Sequence, residues 1–191
     1  MGDDSVPTRP PDGDRLIATY SWSDTLDQRL DEMTEVRDGL LVMHGKGPSS
    51  IHGYTPHESV ERDVVIDVVA DLGRLHDDEG FGIFVRRNVA DRYVGLRVTP
   101  SGIMAISAFD AAEQPIAVGT LAEGMVLHAG RNRISVAAIG PSITMSLNGM
   151  VVTSVLVDPR FIDGYCGLLV EQRHDEPVEV AVEWCQFRRI W

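Results

Sequence analysis

Residues 80–109 alternate between apolar side chains and polar or small ones with a period of two residues. Every second position in the first two segments of this stretch is apolar: Phe81, Ile83 and Val85, followed by Val94, Leu96 and Val98. This period is that of a β-strand that buries one face. The turns NVAD and TPSG separate these segments from each other and from IMAISAF. The stretch therefore predicts three antiparallel strands with one apolar face and one face that carries selected polar groups.

Similar alternation recurs along most of the chain. Further strand patterns cover residues 15–22, 40–44, 60–72, 115–120, 125–128, 131–139, 142–148, 150–157, 165–173 and 178–191. The pair Asn148-Gly149 lies between two of them and is typical of a type I′ hairpin turn, in which both central residues have positive φ. About a dozen strands with turn signals roughly every 8–12 residues predict an all-β fold. The expected architecture is a two-sheet antiparallel β-sandwich or jelly roll.

The remaining segments do not show the alternation of a β-strand. Only residues 23–37 show a helix-like spacing of apolar residues, so they predict at most one short helix, with an irregular loop as the alternative. Residues 45–56 are rich in Gly, Pro, Ser and His and predict a loop. Residues 1–14 are acidic and Pro-rich and predict a flexible lead. Residues 15–191 are then expected to form a single sandwich domain.

The composition restricts the classes of partner. The chain has 191 residues, of which 43% are hydrophobic and 24% charged, as in a globular domain with a real core. Its net charge of −12 argues against nucleic acid and against an anionic membrane surface, because both attract clustered Lys and Arg. No apolar run approaches the ~20 residues that cross a bilayer, and the N-terminus lacks the apolar region of a signal peptide. The chain is expected either to remain in the cytosol or to act outside it after a signal has been removed.

The chain contains two cysteines, Cys166 and Cys185, both within apolar strand patterns. Free Cys is among the most buried residue types, so two buried thiols are one interpretation. The alternative is a disulfide between the last two strands, which would imply an oxidising compartment.

A family resemblance rests on seven segments. They are residues 38–42, which follow an early Trp, and then 80–86, 93–98, 131–136, 143–151, 165–170 and 182–190. In this order they resemble the concanavalin A-like (laminin-G-like) jelly roll, in particular its bacterial family 16 glycoside hydrolase-like and 3-keto-disaccharide hydrolase-like branch. The resemblance covers roughly residues 16–191 and consists of strand and turn positions, without a catalytic signature. It implies two curved sheets, of which the concave one holds sugars or peptides in many relatives.

The sequence contains one set of candidate carboxylates for glycoside hydrolysis. Retaining glycosidases place two carboxylates about 5 Å apart, and the resemblance implies that family 16 enzymes carry them on one strand as E-x-D-x-x-E or E-x-D-x-x-x-E. The nearest match is Glu61, Asp63 and Asp67. Its last carboxylate is Asp instead of Glu, and the strand lies early in the chain. We interpret this departure as evidence against hydrolysis and in favour of a solvated acidic face.

The sequence also contains one set of candidate metal ligands. Asp77, Asp78 and Glu79 are consecutive carboxylates in a turn, and folds of the resembled type sometimes hold Ca²⁺ at loop edges. A hydrophilic turn without a metal is the alternative. The sequence therefore predicts no cofactor, with Ca²⁺ as the secondary expectation.

The polar face of the central strands predicts a ligand site. If the alternation holds, Arg86, Tyr93 and Arg97 point the same way, and Glu171 and Arg173 of the penultimate strand lie nearby. Aromatic faces and bidentate hydrogen bonds from Arg and carboxylates are the groups that bind sugars. The alternative is a set of cross-strand ion pairs, such as Arg97 with Glu171.

Three functions follow from these patterns. The first is a non-catalytic module that recognises a glycan or a protein surface on its concave sheet. The second is a structural or assembly subunit of a larger complex. The third is an enzyme that acts on glycosides or on a small metabolite.

Overall fold

A computed structural model describes residues 14–22, 28–88, 90–110, 112–121, 127–128 and 130–190. Within these residues the chain forms strands and no helix. The strands are β1 (Asp14–Ser21), β2 (Gln28–Arg29), β3 (Thr34–Arg37), β4 (Leu40–His44), β5 (Ser50–Glu61), β6 (Val64–Asp71), β7 (Gly80–Arg87), β8 (Tyr93–Val98), β9 (Ile103–Asp110), β10 (Ala112–Thr120), β11 (Arg131–Ile139), β12 (Ser142–Leu147), β13 (Met150–Leu156), β14 (Gly164–Gln172) and β15 (Glu179–Ile190).

No helix that could span a membrane is found in the part of the chain that the structure describes.

The strands form two antiparallel sheets. Sheet A has the order β13-β12-β11-β6-β15-β4-β3-β2, and β1 also pairs with β15. Sheet B has the order β10-β9-β8-β7-β14-β5. One hydrophobic cluster draws on both sheets: Ile66, Val136 and Phe187 of sheet A, and Ile83, Leu96 and Leu168 of sheet B. The predicted all-β antiparallel sandwich is therefore confirmed, with fifteen described strands where about twelve were expected.

The outer face of each sheet is the face turned away from the other sheet. The two sheets differ in how far their outer faces are buried. In sheet A, β11 and β12 alternate strictly between buried and more exposed residues. In sheet B, nearly every residue of β7, β8 and β14 is buried. Alternate residues of these strands reach the core, so the outer face of sheet B must be covered by its own side chains.

The first third of the chain departs from its sequence pattern in two places. Of the helix-like residues 23–37, residues 28–29 and 34–37 form β2 and β3 with a bend between them and no helix, while residues 23–27 lie outside the described part. Thr34 and Val36 are buried at alternate positions, which is the strand period. Residues 45–56 were predicted as a loop, yet β5 begins at Ser50 and pairs with β14. Because β5 is an edge strand, it tolerates Pro56, whose missing N–H would interrupt a central strand.

The long strand predicted for residues 60–72 is divided in two. β5 ends in sheet B, and β6 begins in sheet A after a turn at Arg62 and Asp63. In this turn the Asp63 carboxylate accepts a hydrogen bond from the Gly140 backbone N–H at 2.6 Å. The Asp63 carbonyl accepts another from Ile190 at 3.1 Å. These contacts hold the crossing between the sheets, which the apolar alternation does not reveal.

Other expectations have mixed outcomes. Asn148 and Gly149 have φ values of 50° and 84°, as predicted for a type I′ turn. Cys166 and Cys185 are free, buried and placed in opposite sheets, and burial raises the pKa of each thiol to about 12. The flexible lead predicted for residues 1–14 lies outside the described part except for Asp14, so it stays a prediction.

Candidate ligand-binding site

Arg86 does not lie on the outer face of sheet B. Its side chain is 1% exposed and donates hydrogen bonds to three loop carbonyls. The partners are Phe161 at 2.9 Å, Gly140 at 2.5 Å and Arg62 at 3.4 Å. Burial lowers the pKa of Arg86 from its usual value. The prediction that Arg86 shares an accessible face with Arg97 is therefore wrong, because Arg86 ties together loops at one end of the sandwich.

A β-bulge explains why Arg86 turns inward. Arg86 has a left-handed backbone with a φ of 62°. The register of β14 shifts beside it, so that Gly167 lies opposite Phe84 and Tyr165 lies opposite Arg87. One extra residue in a strand reverses the direction of the next side chains. Arg87 therefore takes the outer position, with its guanidinium carbon 5.7 Å from the centre of the Phe84 ring.

Arg97 lies on the outer face of sheet B between two carboxylates. Its Nε is 2.6 Å from Glu171 Oε2, and its Nη2 donates to Glu113 Oε1 at 2.8 Å. Arg173 Nη2 donates to Glu171 Oε1 at 2.9 Å. The side chains of Arg97 and Glu171 are each 8% exposed, whereas that of Arg173 is 46% exposed. The structure thus brings three of the predicted residues together and includes the ion pair that was the alternative interpretation.

These charged groups line a groove of about 430 Å³, called the Arg97 groove below. Its lining comprises Asp78, Arg97, Thr99, Ile103, Ala105, Glu113, Pro115, Val118, Glu171 and Arg173. Ile103 and Val118 are 38% and 63% exposed and contribute apolar surface. The volume lies within the range of small-molecule sites, about 300–1,000 Å³. The Arg97 groove therefore combines hydrogen-bond donors, acceptors and apolar contacts in one concave surface.

Tyr93 lies on the same outer face but in an aromatic cluster. Its ring stacks on Phe109 with 4.4 Å between the ring centres, and it meets the edge of Phe84 at 5.8 Å. Burial raises the pKa of the Tyr93 hydroxyl. A Cβ atom on Gly167 would lie 2.6 Å from the Phe84 ring, so only glycine leaves room for it there. The rings thus fill this half of the face, and the pit beside Tyr93 has a volume of only about 80 Å³.

The three candidate catalytic carboxylates do not share a face. Glu61 ends β5 and accepts two hydrogen bonds from Arg189, at 2.8 and 2.7 Å. Asp67 lies in sheet A, 2% exposed, and accepts hydrogen bonds from Arg133 at 2.8 Å and Arg188 at 2.8 Å. Asp63 bonds to a backbone amide in the turn between them, as described above. The prediction of one acidic strand face is wrong, since a turn and a change of sheet separate these residues.

Two of the three candidate metal ligands, Asp78 and Glu79, are engaged in loop contacts, and Asp77 is exposed. Asp78 Oδ1 lies 2.7 Å from His174 Nε2. Glu79 is fully buried and accepts hydrogen bonds from three backbone N–H groups, those of His76 at 3.0 Å, Arg173 at 3.2 Å and His174 at 3.3 Å. Among the described residues no group of three or more His, Cys, Asp or Glu side chains is arranged to hold a metal ion. Glu79 instead joins the loop before β7 to the loop after β14.

Replacing Glu79 with alanine is expected to lower the free energy of unfolding by about 2 kcal/mol, because three backbone amides lose their buried acceptor. Urea denaturation of both proteins measures the difference. Asp77→Ala is the matched control, since Asp77 is an exposed carboxylate in the same turn. Equal stability losses in the two variants would contradict the assigned role of Glu79.

Glu113 is the residue of this site that sequence reasoning missed. It belongs to β10, whose weak alternation predicted a strand only from residue 115 onward. Burial alone would raise the pKa of Glu113, but hydrogen bonds from Ser107 and Arg97 outweigh that effect and lower the pKa. Ser107 donates at 2.7 Å from β9, the neighbouring strand. Only the β9–β10 pairing places this carboxylate beside Arg97, and no local motif signals it.

Comparisons with known proteins bear on the fold. No family model matches the chain, and no curated protein matches it. Many solved structures do match. The laminarinase catalytic domain of Thermotoga maritima MSB8, in complex with cetyltrimethylammonium bromide, has a TM-score of 0.66 at 10% identity, covering 94% of this chain and 99% of that one. SCLam, a non-specific endo-β-1,3(4)-glucanase of family GH16, has a TM-score of 0.63 at 8% identity, covering 95% and 93%.

A carbohydrate-binding module shares the architecture as well. CBM66 from Bacillus subtilis has a TM-score of 0.52 at 14% identity, covering 93% of each chain. Identities this low carry no information about activity, but the coverage spans nearly the whole sandwich. These likenesses show that the chain shares the two-sheet antiparallel jelly-roll fold of these solved structures.

Proposed function

We propose that this protein is a non-catalytic glycan-binding module that holds a saccharide in the Arg97 groove. The observation that carries the proposal is the convergence of Arg97, Glu171 and Arg173 in a groove of about 430 Å³ on the outer face of sheet B. The glycan class is supported by the names of the structural neighbours, which include two glucan-cleaving enzymes and a carbohydrate-binding module.

The polar groups of the groove suit hydroxyl ligands. A sugar hydroxyl both donates and accepts, so it bonds to a carboxylate and a guanidinium at once. Arg97 is fixed between two glutamates, and Glu171 is fixed between two arginines. Such groups lose little conformational freedom when a ligand binds. Arg173, about half exposed, is the more accessible of the two guanidinium groups in the groove.

The same arrangement argues against hydrolysis in this groove. A retaining glycosidase needs a nucleophilic carboxylate and a second carboxyl group of raised pKa that donates a proton. Here Glu113 and Glu171 flank Arg97 and both pair with it. The lowered pKa of Glu113 keeps it ionised and unable to act as the acid. The groove therefore supports recognition better than catalysis.

Arg173→Ala is expected to weaken glycan binding about tenfold or more, as the loss of one hydrogen bond from a charged group does. A glycan array identifies a bound saccharide, and calorimetry measures its affinity. Arg160→Ala is the matched control, because Arg160 is 58% exposed and pairs with Asp158 and Asp110 away from the groove. Equal affinity in both variants, or a wild type that binds no saccharide, would refute the proposal.

The enzyme and assembly hypotheses have their own measurements. Release of reducing sugar from β-1,3-glucan or β-1,3(4)-glucan, abolished by Glu113→Gln or Glu171→Gln, would replace the binding role with a catalytic one. Light scattering measures the mass in solution, and a mass above that of one chain would favour the assembly role.

A further inference from the structure

The outer face of sheet A contains a gap between strands at Glu183. Residues 179–182 of β15 pair with β4, and residues 184–190 pair with β1. On the other side of β15, the register with β6 also shifts between Val182 and Trp184. Glu183 therefore has no partner in any of the three strand registers. A bulge and a change of neighbouring strand coincide at this residue and separate β4 from β1.

A groove of about 560 Å³ opens at this gap and is called the Trp184 groove below. Its lining includes the indole of Trp184, the carboxylates of Asp71 and Glu183, and the guanidinium of Arg131. A second concavity of about 230 Å³ shares Asp38, Leu40, Asp71 and Ala181 with it and extends it towards Arg37, Arg74 and Glu179. Together they form a continuous trough across the outer face of sheet A.

The indole at the end of this trough is held in place. The guanidinium carbon of Arg133 lies 5.9 Å from the centre of the Trp184 ring. Arg133 is itself bonded to the buried carboxylate of Asp67, through Nη2 at 2.8 Å and Nε at 3.1 Å. Asp67 also accepts hydrogen bonds from Ser135 and Arg188. The aromatic surface is therefore fixed before any ligand arrives, which lowers the entropic cost of stacking on it.

We propose that the Trp184 groove is a second binding site, specific for a neutral saccharide, on the opposite face of the sandwich from the Arg97 groove. The C–H face of a pyranose ring stacks on an indole. Arg131 donates to Glu183 in the structure, and the remaining guanidinium N–H groups of Arg131 and the remaining lone pairs of Glu183 and Asp71 bond to hydroxyls.

The mixture of acidic and basic side chains in the trough favours a neutral ligand over a charged one. An anionic ligand would be repelled by Asp38, Asp71 and Glu183 as well as by the net charge of −12. A cationic ligand would meet the guanidinium groups of Arg37, Arg74 and Arg131. A neutral polyol uses donors and acceptors together. This inference does not depend on the Arg97 groove, and two sites on opposite faces would allow one molecule to bridge two glycan chains.

An array of neutral, acidic and amino oligosaccharides tests the proposal, probed with wild type, Trp184→Ala, Arg131→Ala and Arg173→Ala. We expect a set of neutral saccharides whose binding falls at least about tenfold in Trp184→Ala and about fivefold in Arg131→Ala. Arg173→Ala should leave that set unchanged. Thermal melting checks that each variant folds. If Trp184→Ala does not fold, Arg131→Ala decides, because the Arg131 side chain is 68% exposed and lies outside the core.

The same array distinguishes failure of the second site from failure of the Arg97 groove. The second site is refuted if no neutral saccharide depends on Trp184 and Arg131, or if the saccharides that do are all charged. It is also refuted if Arg173→Ala removes the same saccharides, since one site would then explain all binding. The Arg97 groove fails separately, when Arg173→Ala changes no saccharide on the array while the Trp184-dependent set persists.

Discussion

Replacing Arg86 with methionine is expected to lower the free energy of unfolding by about 3 kcal/mol. Methionine occupies much of the buried volume, but it donates no hydrogen bond. The carbonyls of Phe161, Gly140 and Arg62 then lose their common donor at a site where the guanidinium is 1% exposed. Arg86→Lys should recover little, because a single ammonium cannot reproduce the planar fork of donors that reaches three separate loops.

Urea denaturation of wild type, Arg86→Met and Arg87→Met measures this effect. Arg87 is the matched control: it is the next residue, its side chain is 38% exposed, and its ion pair with Asp91 lies at the surface. Its replacement should change the free energy of unfolding by less than about 1 kcal/mol. A loss of similar size in both variants would show that Arg86 does not hold the three loops.

Replacing Asp67 with asparagine is expected to lower the free energy of unfolding by about 2 kcal/mol at pH 7. Asp67 is 2% exposed and accepts hydrogen bonds from Ser135, Arg133 and Arg188. Asparagine keeps the size of the side chain and removes its charge. The loss is smaller than for a fully buried ion pair, because the side chains of Arg133 and Arg188 are 52% and 31% exposed and turn towards water.

This loss depends on pH in a direction that the structure determines. Burial alone would raise the pKa of Asp67, but the hydrogen bonds from Ser135, Arg133 and Arg188 outweigh it and lower the pKa. A carboxylate with a lowered pKa stabilises the fold above the pKa of the unfolded chain, about 3.9 for Asp. That contribution disappears as the pH falls through the lower pKa of the folded state. The difference between wild type and Asp67→Asn should therefore shrink below about pH 4.

Urea denaturation at pH 7 and at two values below pH 4 measures this convergence. Asp91→Asn is the matched control, because its side chain is 67% exposed and paired only at the surface. It should change stability by less than about 0.5 kcal/mol throughout. A constant difference for Asp67→Asn from pH 7 down to pH 3 would contradict the ion-pair argument.

The sequence was sufficient where side chains alternate without interruption. β8, β11 and β12 and the first part of β7 follow the period of two, and the type I′ turn at Asn148-Gly149 follows from the need for positive φ. The sequence failed at the one left-handed residue of β7. Nothing in GFGIFVRR distinguishes Arg86 from Arg87, yet the bulge sends the first into the interior and the second to the surface.

The residues of the candidate sites also differ in whether the sequence could predict their positions. Arg97 and Glu171 were expected near each other because the strands that carry them can be neighbours in the resembled fold, and in the structure both strands pair with β7. Glu113 reaches Arg97 only through the β9–β10 pairing. The Trp184 groove depends on where β15 exchanges one neighbouring strand for another. Such long-range pairing is set by tertiary structure and leaves no local signal in the sequence.

The state of the two cysteines makes the native sandwich insensitive to whether its surroundings are reducing or oxidising. Both sulfurs are buried in the hydrophobic core that the two sheets share, and burial raises the pKa of each thiol to about 12, so oxidants and exchanging thiols find little thiolate to attack in the native protein. The architecture is held by packing and hydrogen bonds with no covalent cross-link between the sheets. The same native state is therefore compatible with a reducing or an oxidising compartment.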